Sequence, residues 1–440
     1  MAAGFGRVLR GVARHARARA LAREGANTGV DVRWSGLCAA IARARGVQTR
    51  GVDGVASPAR DGGRDDGRGV RAHGFSAHAA ASEIYDDTLP VNPFKIVDEE
   101  LRAIGERMRK AVSSDIPALS TASEYFFKLG AEGKRMRPTV LLLMASAMTN
   151  GVMSTGAAQG GWRETDHAPA HQAPDDVRRR QQRLAEIAEM IHVASLLHDD
   201  VLDNAATRRG LRALNLEVGN KLAILAGDFL LARASVTLAS LRNTEVIELL
   251  SRVLEHLVAG EVMQMTAKPE SLSSMDHYVQ KTYYKTASLI ANRSKAIALL
   301  GGHGEESAQA AYEYGKNLGL AFQFQDDVLD FIGSDSLLGK PTLGDLKEGI
   351  ATAPVLFAAE EFPELSALIE RRFKHSGDVQ RANELVKQSK GIERTRALAQ
   401  EHADMAIAAL QKLPAAESAY ANHCRRALKE LANRAVNRSK

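Results

Sequence analysis

The pentapeptide DDVLD occurs twice, at residues 199–203 and 326–330, each time directly behind an apolar run, HVASLLH and LGLAFQFQ. Helical residues i and i+4 stack on one face, so Asp199 with Asp203, and Asp326 with Asp330, each present two carboxylates about one turn apart. Asp200 and Asp327 sit beside them. Three carboxylates this close repel one another unless a hard cation neutralises them. Oxygen-only ligands suit magnesium, which keeps several waters and shares its shell with substrate phosphates. A single patch reads equally well as a solvated acidic helix end; two in matching apolar contexts read as one metal site divided between two helices.

Basic residues cluster near these patches. GKRMRP supplies Lys134, Arg135 and Arg137 ahead of an apolar run, and TRRG supplies Arg208 and Arg209 just beyond Asp203. Further on lie Lys285 in YYKTAS, Lys340 in LGKPT and Lys347 in DLKEG. Carboxylates that hold a cation, together with Arg and Lys that hold oxygens directly, describe a site for a diphosphate. Any one of these basic residues alone reads as surface charge. No G-x-S-x-G elbow or catalytic cysteine stands out.

Helices must position these groups. Residues 175–268 contain no proline, and apolar positions return every three or four residues, whereas strand signals are missing there. Helical spacing begins near residue 92, with Ile96, Leu101, Ile104 and Met108, and resumes over residues 363–440. A stretch rich in Gly, Ala, Pro and polar residues, at about 150–178, reads as a flexible surface insertion. Its Trp162, His167 and His171 read as a solvated loop, since no second shell of polar partners surrounds them in sequence. The expected organisation is a disordered presequence over 1–85 and an all-α domain over 86–440.

In this order GKRMRP, EMIHVASLLHDDVLDNAATRRG, GNKLAILAGDFLLARAS, QKTYYKTASLIANRSKAIALLGG, YGKNLGLAFQFQDDVLDF and GIATAPVLFAAEEFPEL make the chain similar to the trans-prenyltransferases, especially the long-chain solanesyl and decaprenyl diphosphate synthases. The resemblance runs from about residue 92 to the C-terminus. It implies an isoprenoid synthase-type bundle of about a dozen helices around a central cavity, as a homodimer or, alternatively, a heteromer. It implies that Asp199, Asp203 and Asp326 coordinate magnesium, with Asp200, Asp327 and Asp330 in support. Arg208, Lys285 and Lys340 would hold the allylic diphosphate. Lys134, Arg135, Arg137, His192 and Arg209 would hold isopentenyl diphosphate, with Thr286 and Gln323 lining the reacting ends. Many bacterial relatives carry Lys in the EGK turn where this chain has Ile350, which removes one auxiliary phosphate contact. The product is a lipid, so association with a membrane surface is expected at most through it.

Product length should depend on how far the growing tail descends beside the helix that carries the first DDVLD. Ser195 lies one turn before Asp199, with Ala194 beside it, and both are small. Short-chain relatives place an aromatic residue at one of these positions and close the cavity early; Ala188, further down, is also small. Close helix packing is the competing reading of these small residues. A class I terpene cyclase shares the fold, but its second metal site normally mixes Asn, Ser or Thr with Glu. An inactive partner subunit would show eroded Asp and Arg positions.

The net charge of +5 suggests an acidic partner until its location is considered. Residues 1–80 hold 14 Arg, no Lys and 6 Asp plus Glu, which leaves −3 for the rest of the chain. Nucleic acid binding thereby loses its main argument. An Arg- and Ala-rich segment poor in acids can form a basic amphipathic helix drawn inward by a membrane potential, the physics of a mitochondrial presequence. A plastid transit peptide is the alternative, and cleavage near residues 74–81 is expected. If the enzyme is mitochondrial, its product would serve as the ubiquinone tail. With 45% apolar and 25% charged residues the chain matches an ordinary globular protein. Cys38 and Cys424 alone build no disulfide framework, and no uninterrupted apolar run approaches the ~18 residues of a membrane span.

Overall fold

A computed structural model describes residues 90–125, 135–149, 174–208, 211–333, 342–416 and 418–438. The expected presequence and most of the expected insertion, with Trp162, His167 and His171, lie outside these residues. From residue 174 onward the chain is helical, so the C-terminal end of the insertion belongs to a helix instead.

The architecture is all-α. Its main helices are α1 (Asp98–Val112), α2 (Met136–Met148), α3 (Pro174–Leu202), α4 (Asn220–Ser240), α5 (Thr244–Thr266) and α6 (Met275–Thr282). After the π-helical segment Tyr283–Ala287 follow α7 (Ser288–Leu300), α8 (Glu305–Ile332), α9 (Gly344–Lys347), α10 (Ala353–Glu361), α11 (Gly391–Leu410) and α12 (Ala419–Asn437). One short antiparallel ribbon interrupts them, pairing Thr207 with Arg212 and Arg208 with Leu211. It lies in the stretch read as free of strands. Two residues per strand are too few for alternation to show in sequence.

Local chemistry accounts for the elements. In α1 the first turn is acidic (Asp98, Glu99, Glu100) and the last basic (Arg109, Lys110), complementing the helix dipole. Its Leu101, Ile104, Met108 and Val112 form the buried stripe. Asn243 caps α5, its side chain accepting the Val246 N–H at 3.0 Å, and Ser418 caps α12 in the same way through Ala421. Helices α2 and α7 are buried almost all round and form the centre, with α3, α5, α8 and α12 packed about them and α11 against α8. Leu141, Leu142, Leu143 and Met144 are wholly buried. Truncating any one to Ala would cost about 2–5 kcal/mol.

Helix α8 approaches the π segment closely because residue 319 is glycine. A Cβ there would lie 2.6 Å from the Ala287 Cα. Helix α1 docks on α3 through charge: Arg107 donates to Glu186 at 2.5 Å, and Arg178 to Glu100 at 2.6 Å. Helix α4 is long and apolar enough to cross a membrane by length and composition, although no uninterrupted apolar run was expected to be. Asp228 and Arg233 break the run, while the helix continues through them.

Candidate active site

Helix α3 ends inside the first DDVLD. The Asp203 N–H closes on the Asp199 carbonyl at 2.8 Å, and Asn204, at φ 50°, turns the chain out of the helix. Asp200 is fully buried and faces away from its neighbours' chemistry: Arg208 on the ribbon donates to it through Nε at 2.8 Å and through Nη2. Asn215 donates to the Asp200 carbonyl at 3.1 Å. The middle aspartate thus anchors the TRRG ribbon under the helix end.

Asp199 and Asp203 stand opposite the π segment and α5. Burial pushes Asp199 up to about 6, against the pull of Lys285 and with Glu261 and Asp203 adding to the rise. Asp203 is raised by burial in the same way. Lys285 is held by Glu261 at 2.5 Å and by Gln264 at 3.1 Å. The π turn that presents it fits against α5 because residue 260 is glycine; a Cβ there would lie 2.7 Å from the Lys285 Cγ.

The second DDVLD lies inside α8, which ends two residues later at Ile332. Asp326 pairs with Arg438, just beyond α12, at 2.7 Å. Asp327 is buried and accepts from the Tyr278 hydroxyl and from Gln323 Nε2 at 3.0 Å. Thr286 in turn donates to Gln323 Oε1 at 3.0 Å, so the two residues expected at the reacting ends are joined. Asp330 accepts the N–H groups of Gly344 at 3.0 Å and Asp345 at 3.3 Å, fixing the start of α9. Burial raises Asp327 and Asp345, with Lys281 opposing both shifts.

Lys281 lies between the two acidic groups. Burial lowers its pKa, while Asp327, Asp345 and Glu261 pull it back. Tyr278, Lys281 and Lys285 recur at i, i+3 and i+7 and form a polar strip along α6 and the π segment. Lys285 of this strip was read in the sequence; Tyr278 and Lys281, with Glu261, Gln264, Asp345 and Arg438, were missed. The strip's spacing and the GEVMQ pair at i and i+3 were legible signals; Arg438 had none.

His192 is buried on α3, Arg137 opens α2, and Arg135 precedes α2 at φ 46°, a left-handed conformation uncommon for a side chain of this size. Ala194 is fully buried and Ser195 half-buried, its hydroxyl bonded back to the His192 carbonyl at 2.9 Å. Lys347 bonds the Thr342 carbonyl at 2.8 Å. Lys134, Arg209 and Lys340 lie outside the described residues.

No three His, Cys, Asp or Glu among the described residues converge tightly enough to hold a metal by themselves. A magnesium ion that takes one or two carboxylates and completes its shell with water and phosphate oxygen asks for no such cage. Asp199 and Asp203 meet that lesser demand: hard oxygen donors, partly withdrawn from water, whose charged forms burial disfavours.

The chain is thus an all-α bundle in which two long helices carry aspartate clusters at or near their C-terminal ends, with a lysine strip between them. A family profile described as polyprenyl synthetase matches residues 116–386. The chain belongs to the polyprenyl synthetase family. It is 51% identical over 349 residues to a mitochondrial solanesyl-diphosphate synthase of Oryza sativa subsp. japonica, covering 79% of each chain. Among solved structures it resembles the apo form of an Arabidopsis medium/long-chain length prenyl pyrophosphate synthase, at 44% identity and TM-score 0.64 over 80% of this chain and 100% of that one. It also resembles a polyprenyl synthase from Caulobacter crescentus complexed with calcium and isoprenyl diphosphate, at 32% identity and TM-score 0.66 over 79% and 97%.

Proposed function

We propose that this chain is a long-chain trans-polyprenyl diphosphate synthase of solanesyl or decaprenyl type, condensing isopentenyl diphosphate repeatedly with an allylic diphosphate. The observation that carries this reading is the strip of Tyr278, Lys281 and Lys285 set between the two acidic helix ends. Asp199, Asp203 and Asp326 would hold magnesium, which when bound supplies positive charge for the departing diphosphate. Arg208, Lys285 and Lys340 would grip the same group. Lys134, Arg135, Arg137, His192 and Arg209 would hold isopentenyl diphosphate. The Thr286–Gln323 pair would orient the reacting ends, and the apolar walls exclude water while the allylic carbon–oxygen bond ionises. The isopentenyl double bond attacks the cation, and the released diphosphate takes the proton.

Incubating the purified protein with magnesium, isopentenyl diphosphate and an allylic primer, then separating the products, tests this reading. A long all-trans diphosphate is expected; a twenty-carbon product alone would mean a geranylgeranyl synthase, and no elongation would overturn the proposal. Ala194→Phe or Ser195→Tyr should yield active enzyme with shorter products. If these positions serve packing alone, each costs roughly 1–3 kcal/mol of stability with product length unchanged.

Helices α4 and α5 expose Ile224, Leu225, Val236, Val258 and Val262, each at least 41% accessible, which supports a homodimer through this face. A monomeric sedimentation profile would count against it. The fourteen arginines before residue 80 and the mitochondrial relative support import into mitochondria and supply of the ubiquinone tail. A fluorescent reporter fused to residues 1–85 and found in plastids or cytosol would exclude that address.

A further inference from the structure

Arg293 on α7 is fully buried, and among the described residues its Nε, Nη1 and Nη2 all lack a hydrogen-bond partner. Burial brings its pKa down to about 9, with Arg137 lowering it further and Glu189 opposing, so the side chain stays charged at neutral pH. A buried guanidinium with five idle donors is costly, and the usual resolution is an anion.

Its place in the fold identifies which anion. Arg293 follows Thr286 by seven residues, so it shares that residue's face about two turns, roughly 10 Å, further along. It feels Arg137 and Glu189, and Glu189 also acts on Arg135. His192 lies one turn after Glu189 on α3. Arg293 and Arg135 therefore both lie within electrostatic reach of Glu189, whose Oε2 is itself buried without a hydrogen-bond partner. The five N–H groups of Arg293 alone exceed what Glu189 could accept, and Arg137, which acts on Arg293, and His192 are residues assigned above to isopentenyl diphosphate.

We propose that Arg293 is a further binding residue for the diphosphate of isopentenyl diphosphate, forming the inner wall of the pocket that Arg137 and His192 open. The proposal rests on the elongation reading. It deepens that reading by placing a contact where none of the basic motifs reaches. The guanidinium waits buried beside Glu189, and an incoming diphosphate supplies the charged oxygens that its N–H groups lack. Arg293 therefore distinguishes the homoallylic diphosphate from the allylic one, which lies with Lys285 at the other end of the same helical face.

Arg293→Met and Arg293→Lys in the full-length protein test this. Losing charge-assisted hydrogen bonds should raise the KM for isopentenyl diphosphate about 10- to 100-fold in the Met variant, with a smaller rise in the Lys variant. The KM for the allylic primer should move far less. Calorimetry with isopentenyl diphosphate alone, which has no allylic partner to react with, should show the same order of affinities. The thermal midpoint of Arg293→Met should not fall, because an unpaired buried charge has been removed. An unchanged KM with altered product length would make Arg293 a wall of the tail cavity and overturn the proposal. An unchanged KM with a lowered midpoint would make it a structural partner of Glu189 and overturn it equally. Wild-type protein that elongates while both variants keep its KM sinks this assignment alone; wild-type protein that elongates nothing sinks the reading beneath it.

Discussion

The two copies of DDVLD are identical in sequence and differ in every partner. In the first, the middle aspartate holds a charged arginine of the ribbon; in the second, it holds a tyrosine hydroxyl and a glutamine amide. The last aspartate of the first copy lies past the helix end, whereas that of the second sits inside α8 and anchors α9. A repeated motif therefore specifies a spacing of carboxylates, and the surrounding elements decide which of them remain available. In both copies the middle aspartate is taken up by structure, and in the second Asp330 is as well, which leaves Asp199 and Asp203 of the first copy and Asp326 of the second for ligands.

The largest expected effect falls on those outer residues. Asp199→Ala or Asp326→Ala should lower turnover at least ~100-fold, the loss typical of a major transition-state electrostatic partner, with the fold retained. Near wild-type turnover for either variant at saturating magnesium would break the equivalence of the two copies. The middle residues should separate in stability instead. Asp200→Asn strips the charge from a buried partner of Arg208 and should cost about 3 kcal/mol, measured by urea unfolding. Asp327→Asn meets neutral partners at a site where burial already disfavours the charge, and should cost about 1 kcal/mol or less. Equal losses would show that the different partners do not matter.

Much of this site was legible before any fold was known. Two acidic helix ends and the arginines and lysines near them emerge from residue type and short spacing, whereas Thr286 and Gln323 came only from the family resemblance and their hydrogen bond across 37 positions from the fold. The partners that distinguish the two copies do not. Tyr278 reaches Asp327 across 49 positions and Arg438 reaches Phe322 across 116, and no local pattern encodes a contact made by helix packing. Arg293 reads in sequence as one more helical arginine; only its burial makes it unusual. The same holds for the two-residue ribbon, whose position is fixed by Asp200 and not by strand propensity.

A pH experiment sharpens the comparison at the first copy. Asp199 is raised in the folded protein from an unfolded value of about 3.9 to about 6. A raised carboxylate binds more protons folded than unfolded between those values, so its contribution to stability falls as pH rises through that window. The penalty is absent below about 4 and full above about 6. In metal-free protein, Asp199→Asn should therefore be more stable than wild type at pH 7.5, by on the order of 1–2 kcal/mol. At pH 4.5 the difference should shrink, and an advantage that stays constant across the window would show that charge burial is not its cause.

The smallest effect belongs to Arg438, and it probes whether the second copy is shielded as the first is not. The guanidinium lies 3.7 Å over the Phe322 ring, donates to the Phe322 carbonyl at 2.7 Å and reaches Asp326 at 2.7 Å. Three contacts hold it in place, so little conformational freedom is lost in forming the ion pair. The Asp326 side chain is nevertheless 41% exposed, which keeps the pair near the weak end of ion-pair energies, at about 0.5–1 kcal/mol. A divalent cation taking Asp326 must displace or outbid that arginine. Arg438→Ala should lower the magnesium concentration giving half-maximal turnover about two- to five-fold, in keeping with that energy. Arg438→Lys, which keeps the charge and loses the planar stacking, should fall between the two. A magnesium dependence that is the same in all three proteins would mean that Arg438 packs against Phe322 without competing for the metal's carboxylate.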